Sequence, residues 1–173
     1  MKLTRFIAPT ISSAALLTLL LLPPALLGKD RGGKGRAPWG RAKVLDVKYK
    51  PSKVIYDVVT GNPRRLGAVF SKAGYLANNI YGANPFDARV VIVLHGDSIK
   101  FFAHKNFRRY RALMERAQGL TQGGVVEFRM CLIRARMAGF KPRDIHGFVK
   151  MVPMADAEIV RLQKNGYAYM YTH

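Results

Sequence analysis

Arg89-Val90-Val91-Ile92-Val93-Leu94 runs straight into His95-Gly96-Asp97-Ser98. The first six residues hold five consecutive apolar side chains, four of them β-branched. Such a run makes a strand and leaves it no face for water. A strand apolar on both faces belongs inside a parallel sheet covered by helices above and below. The four residues after it read as the turn beyond its carboxyl end. In open parallel sheets that is where functional crevices lie.

The same alternation continues on either side. Upstream, Lys53 to Thr60 (Lys-Val-Ile-Tyr-Asp-Val-Val-Thr) is β-branched and strand-like. Gly61-Asn62-Pro63 breaks it, with Pro63 suited to a first helical turn. Leu66, Val69, Phe70, Ala73, Leu76, Ala77 and Ile80 then recur at helical spacing. Downstream, a helix is expected over Asn106 to Gln122, with Tyr110, Leu113, Met114, Ala117 and Leu120 on its buried face. Val125 to Met130 reads as a strand and Cys131 to Ala138 as a helix, with Gly139 as its left-handed cap. Phe148 to Val152 is a strand, Ala155 to Lys164 a helix and Tyr167 to Tyr171 a last strand. Five strands alternate with four helices over short links. That order implies an α/β fold with a mainly parallel five-stranded sheet.

The chain has 173 residues, enough for one domain and a terminal appendage. Residues 1–28 supply the appendage. Lys2 and Arg5 precede an uncharged run from Phe6 to Gly28 centred on Leu16-Leu17-Thr18-Leu19-Leu20-Leu21-Leu22. A basic start and an apolar core of about 7–15 residues describe an export signal. Read the other way, the run is a retained membrane anchor. Both place the rest of the chain outside the cytoplasm, in the periplasm or anchored to the membrane. Residues 29–42 are Gly-rich and basic and read as a linker. The folded domain is expected over 43–173.

Charge and cysteine content narrow the chemistry. There are 29 Lys and Arg against 10 Asp and Glu, a formal net charge of +19. Anionic partners are favoured, but charge alone does not choose among them. Nucleic acid is disfavoured, because the arginine-rich stretch Arg108 to Arg116 has no interleaved exposed aromatic residues. One cysteine excludes an intrachain disulfide framework and any multi-cysteine metal site. His95, His104, His146 and His173 show no metal-ligand spacing. Phosphate loops, serine nucleophile elbows and paired dinucleotide glycines are absent.

Two segments at strand ends carry the candidate chemistry. Cys131 falls where a strand gives way to a helix, and Arg129 and Arg134 are near it in sequence. A helix N-terminus and nearby cations favour a thiolate, which attacks sulfur donors or holds a terminal sulfur. The plainer reading makes Cys131 a small buried hydrophobe. His95 is a candidate proton carrier, with Gly96 and Asp97 beside it and Asp97 a candidate acceptor for its imidazole. The plainer reading there is ordinary turn chemistry.

With these residues in view the chain resembles the DsrE/DsrF-like family of small sulfur-handling proteins. Three stretches carry the likeness. The first is Val90-Val91-Ile92-Val93-Leu94-His95-Gly96-Asp97. The second is Gly124-Val125-Val126-Glu127-Phe128-Arg129-Met130-Cys131, continued by Ala135-Arg136-Met137-Ala138-Gly139-Phe140. The third is Ala157 to Tyr169, a helix closing on Leu162-Gln163 and a Gly166-Tyr167 strand. The resemblance implies a three-layer α/β/α domain, homo-oligomers (trimers or hexamers) and sulfur transfer without a cofactor. It places the sulfur acceptor at Cys131. His95 is then the proton shuttle, and Gly96, Asp97, Arg129 and Arg134 are candidate substrate-binding residues. The donor and the acceptor of sulfur, whether thiols or proteins, are not named by the sequence, and the N-terminus is a candidate membrane contact. The alternative is a non-catalytic oligomeric protein that binds a small anion or a protein partner, with Cys131 structural.

Overall fold

The computed structural model describes residues 39–172. The expected export signal at 1–28 and most of the linker at 29–42 lie outside the described residues. Two units divide the chain, Met1–Leu45 and Asp46–His173. Residues 39–45 of the first unit are exposed and form neither helix nor strand. Among the described residues no helix is long and apolar enough to cross a membrane.

The second unit alternates strand and helix throughout. In chain order it comprises β1 (Lys53–Val58), α1 (Pro63–Tyr75), β2 (Arg89–Leu94), α2 (Phe107–Thr121), β3 (Val126–Cys131), α3 (Leu132–Met137), β4 (Val149–Val152), α4 (Ala155–Lys164) and β5 (Ala168–Thr172). The strands form one parallel sheet in the order β4-β3-β2-β1-β5. From β1 the chain steps in one direction through β2, β3 and β4. Right-handed crossovers therefore put the connecting helices on one face. Then α4 reverses the direction, crosses the opposite face and delivers β5 to the far side of β1.

The period of two along each strand sorts side chains between these faces. Val54, Tyr56, Val58, Val90, Ile92, Leu94, Phe128 and Met130 meet Leu66, Val69, Phe70 and Ala73 of α1, Met114 and Ala117 of α2, and Ala135 of α3. On the other face Ile55, Val91, Val93 and Cys131 meet Ala155, Ile159 and Leu162 of α4. Val90 to Leu94 are fully buried, as a central strand requires.

Local chemistry sets the element ends. Asn62 caps α1, its Oδ1 accepting from Arg64 N–H at 2.9 Å, and Pro63 takes the first turn. The helix expected to run as far as Ile80 leaves α-geometry after Tyr75 and continues as a wider turn over Leu76–Ile80. Asn78 and Asn79 are weak helix formers, and Tyr81 N–H closes back on Leu76 O at 3.0 Å. The last strand begins at Ala168 instead of Tyr167. Gly166 turns left-handed at φ 81°, and Tyr167 N–H closes α4 on Leu162 O at 3.2 Å. Cys131, placed by sequence in the following helix, is the last residue of β3, paired with Val152. It also caps α3.

Candidate functional site

The reversal of direction makes the carboxyl end of β1, flanked by β2 and β5, the switch point of the sheet, where a crevice is expected. Asp57 stands there, a single carboxylate in an otherwise apolar stretch of β1, and it is 6% exposed. Its register partners are Val93 on β2 and Tyr171 on β5. Residues two steps from those partners lie diagonally across on the same face, and these are His95 and Tyr169.

Both engage the carboxylate. His95 Nε2 lies 2.5 Å from Asp57 Oδ1, and the Tyr169 hydroxyl donates to Oδ2 at 2.6 Å. Thr172 donates its hydroxyl to the Asp57 backbone carbonyl at 2.6 Å, fixing β5 against the same residue. Burial works to raise the Asp57 pKa, but the hydrogen bonds from His95 and Tyr169 and the histidine charge outweigh it. The carboxyl is held below its ordinary value. The hydrogen bond to Asp57 raises the His95 pKa above its ordinary value, against burial and with help from the charges of Asp57 and Asp156. The Tyr169 phenol, bonded to the same carboxylate, is pushed up to about 12. The group thus consists of an anionic carboxylate, a basic imidazole and a neutral phenol.

The turn after β2 holds His95 in place. Gly96 is left-handed at φ 60°, and a Cβ there would stand 3.1 Å from Val59 O. Buried Ser98 donates its hydroxyl toward His95 O (2.8 Å) and Val58 O (3.2 Å). This turn carries Asp97 away from the imidazole. Asp97 is exposed and faces Arg134 Nη2 at 3.8 Å. The histidine partner is therefore Asp57, a residue from the neighbouring strand, and not Asp97.

Cys131 is 6% exposed, with Sγ accepting Arg134 N–H at 3.5 Å. Leu94 of β2 pairs with Met130 of β3. One step further along lie His95 and Cys131. Both follow the alternation onto the α4 face, on strands about 4.8 Å apart. The register thus puts His95 and Cys131 at the same level of the sheet and on the same face, with the imidazole turned to Asp57 and the thiol to Arg134 N–H.

Arg129 points to that face as well, but its guanidinium is occupied. It bonds Glu127 Oε1 at 2.5 Å and Glu158 Oε1, and Glu158 is held in turn by Arg161. Lys150 completes the group on Glu127 at 2.8 Å. These ion pairs tie α4 to β3 and leave Arg129 no free charge for a substrate. Arg134 is the cation nearest to Cys131 in the chain that retains exposure. His104 and His146 pack together, ring centroids 4.8 Å apart, among Phe107 and Phe148. Among the described residues no group of three or more His, Cys, Asp or Glu is placed to hold a metal ion.

The sequence model of the DsrE/DsrF-like family matches residues 53–171, a span that holds all four helices, His95, Asp57 and Cys131. The chain belongs to the DsrE/DsrF-like family. This is a family of sulfur-relay type. The protein of unknown function MTH1491 from Methanobacterium thermoautotrophicum has a similar solved structure, with TM-score 0.57 at 19% identity. The match covers 69% of this DsrE/DsrF-like chain and 98% of that one. At that identity the likeness is one of fold, the five-stranded parallel sheet with helices on both faces. No curated protein matches the chain.

Three residues at the site of this DsrE/DsrF-like protein escaped the reading from sequence: Asp57, Tyr169 and Asp156. Asp57 did leave a signal, a lone carboxylate amid Val-Ile-Tyr and Val-Val. Tyr169 and Asp156 left none, because only the return of the chain through α4 to β5 brings them to β1.

Proposed function

We propose that this chain takes up sulfane sulfur on Cys131 and hands it on as a persulfide, as an exported homo-oligomer. The observation that supports the reading is the β2–β3 register, which puts Cys131 and His95 on one face at the carboxyl end of neighbouring strands, with Asp57 bonded to the imidazole. Family membership supports the class of chemistry.

The step follows from the residues. Asp57 engages Nε2 of His95, so the proposed proton acceptor is Nδ1. His95, made more basic by Asp57, takes the Cys131 proton. The thiolate attacks the outer sulfur of a hydropersulfide donor. A sulfur–sulfur bond forms to Cys131, the donor's own sulfur–sulfur bond breaks, and the departing thiolate takes the proton from His95. No electrons are gained or lost overall, so the step calls for no cofactor. Delivery is the same exchange run toward a new acceptor thiol. At 6% exposure Cys131 admits only small donors, such as hydrogen persulfide or a short polysulfide.

Alkylation of the folded chain by iodoacetamide, followed by mass from mildly acidic to mildly alkaline buffer, tests this. Cys131 is expected to react in the folded state, and His95→Ala to slow it by about a hundredfold. A thiol that resists until denaturant is added would contradict the proposal. It would favour the second reading, to which the low exposure of Cys131 also points: a non-catalytic oligomeric binding protein with a structural cysteine.

A further inference from the structure

We infer that the cleft between α1 and α2 is a binding site for an organic dianion, a phosphomonoester or its equivalent carried on an apolar body. This rests on no part of the sulfur reading. The cleft has a volume of about 560 Å³, within the range of small-molecule sites. Three separate segments bring cations to it: Arg64 from α1, Lys100 from the stretch after β2, and Arg109 from α2. No carboxylate lines it.

Among the described residues these charges enter no salt bridge. Elsewhere on α2, Arg111 pairs with Glu115, and Arg116 donates to Ser71 Oγ and Gly67 O. Arg109 and Lys100 lie instead against aromatic rings, 5.4 Å from the centroid of Tyr110 and 5.5 Å from that of Phe101. The charged groups themselves lie over these rings, and both residues line the cleft. The first turn of α1 has no acidic residue, and Arg64 and Arg65 stand there at the positive end of the helix dipole. Like charges gathered in this way repel, and a bound dianion relieves the repulsion.

The rest of the lining is apolar: Pro63, Tyr110, Ala112 and Leu113. Tyr110 packs edge-on against Phe101, with centroids 4.8 Å apart, and α2 departs from helical geometry there at φ −118°, ψ 23°. Three cations together with an aromatic and aliphatic lining fit a charged head on an apolar body. A bare oxyanion would leave that wall in water. Gly61 closes the cleft toward the turn after His95: a Cβ there would stand 3.0 Å from Asp97 Cβ, 3.3 Å from Asp97 Oδ2 and 3.4 Å from Lys100 Nζ, so the Asp97 carboxylate stands at the Lys100 edge of the cleft.

The chemistry is shared by a soluble phosphomonoester and a phosphomonoester lipid headgroup, so the test has two arms. The full chain is titrated calorimetrically with phenyl phosphate and with inorganic phosphate. It is also sedimented with vesicles of phosphatidylcholine, with and without phosphatidic acid. Saturable binding of phenyl phosphate is expected, tighter than that of inorganic phosphate. Arg64→Gln and Arg109→Gln should each weaken it about tenfold. Arg143→Gln, which removes the same charge outside the cleft, should leave it unchanged. Leu113→Ala should weaken phenyl phosphate more than inorganic phosphate. Binding of phosphatidic acid vesicles alone, with the same dependence on Arg64 and Arg109, supports the site with a lipid as its source. Absence of saturable binding in both arms overturns the inference. So does equal weakening by Arg143→Gln, which would mean attraction to net charge only. Circular dichroism and melting temperature establish that each variant is folded.

Discussion

Asp57→Asn is expected to cost about 2 kcal/mol of folding stability, the scale of hydrogen bonds to a charged group, and to lower the His95 pKa. Asp57 accepts from His95 and Tyr169 together, and asparagine keeps the shape while removing the charge. The two shifts have opposite senses. The His95 pKa is raised, so its contribution is complete below the ordinary histidine value of 6.5 and is lost as pH rises through the raised value. The Asp57 pKa is lowered, so its contribution is complete above the ordinary value of 3.8 and is lost as pH falls through the lowered one. The stability gap between the wild type and Asp57→Asn should therefore be widest between those two limits and narrow on either side. Urea unfolding across pH, with the His95 ring followed by NMR, measures both. A gap that does not vary with pH, or a His95 midpoint unmoved by the substitution, would contradict the assigned pair.

A larger loss of stability is expected in the core. Phe128→Ala should cost about 3–5 kcal/mol, through lost burial and the cavity left behind. Phe128 is fully buried on β3, on the α1–α2 face of the sheet. Its ring meets Phe70 at 5.4 Å, Phe102 at 5.7 Å and Phe148 at 5.8 Å, so its removal takes away three ring contacts at once. Domains are stable by about 5–15 kcal/mol, so the variant should unfold at much lower urea or temperature. Phe148→Ala, at a half-buried ring on the rim of the same cluster, should cost less. Denaturant midpoints for the two variants rank them, and the reverse order would mean that the cluster is not centred on Phe128.

The fold was legible because its strongest signals are local. Arg89 to Leu94 declares a strand buried on both faces, and the helix from Ala155 to Lys164 ends where Asn165-Gly166 must end it. The boundaries that moved did so through backbone hydrogen bonds at element ends, as at Tyr167, where a strand-like residue is used to close a helix. The site was only half legible. Cys131 and His95 stand out at strand ends, but their relation to each other depends on how β2 registers against β3. Asp57 is 38 residues before His95, and Tyr169 is 112 residues beyond Asp57. No spacing rule reaches that far. Arg129 shows the converse: it lies two residues from Cys131, yet Glu158 on α4 claims its charge from 29 residues away.

The most direct measurement is the intact mass of the full chain after brief exposure to polysulfide, beside Cys131→Ala and a sample treated afterwards with reductant. A gain of one sulfur atom, about 32 Da as for a persulfide, is expected on the wild type alone and is removed by the reductant. An unchanged wild-type mass, or the same gain on Cys131→Ala, would contradict the assignment of Cys131 as the sulfur acceptor.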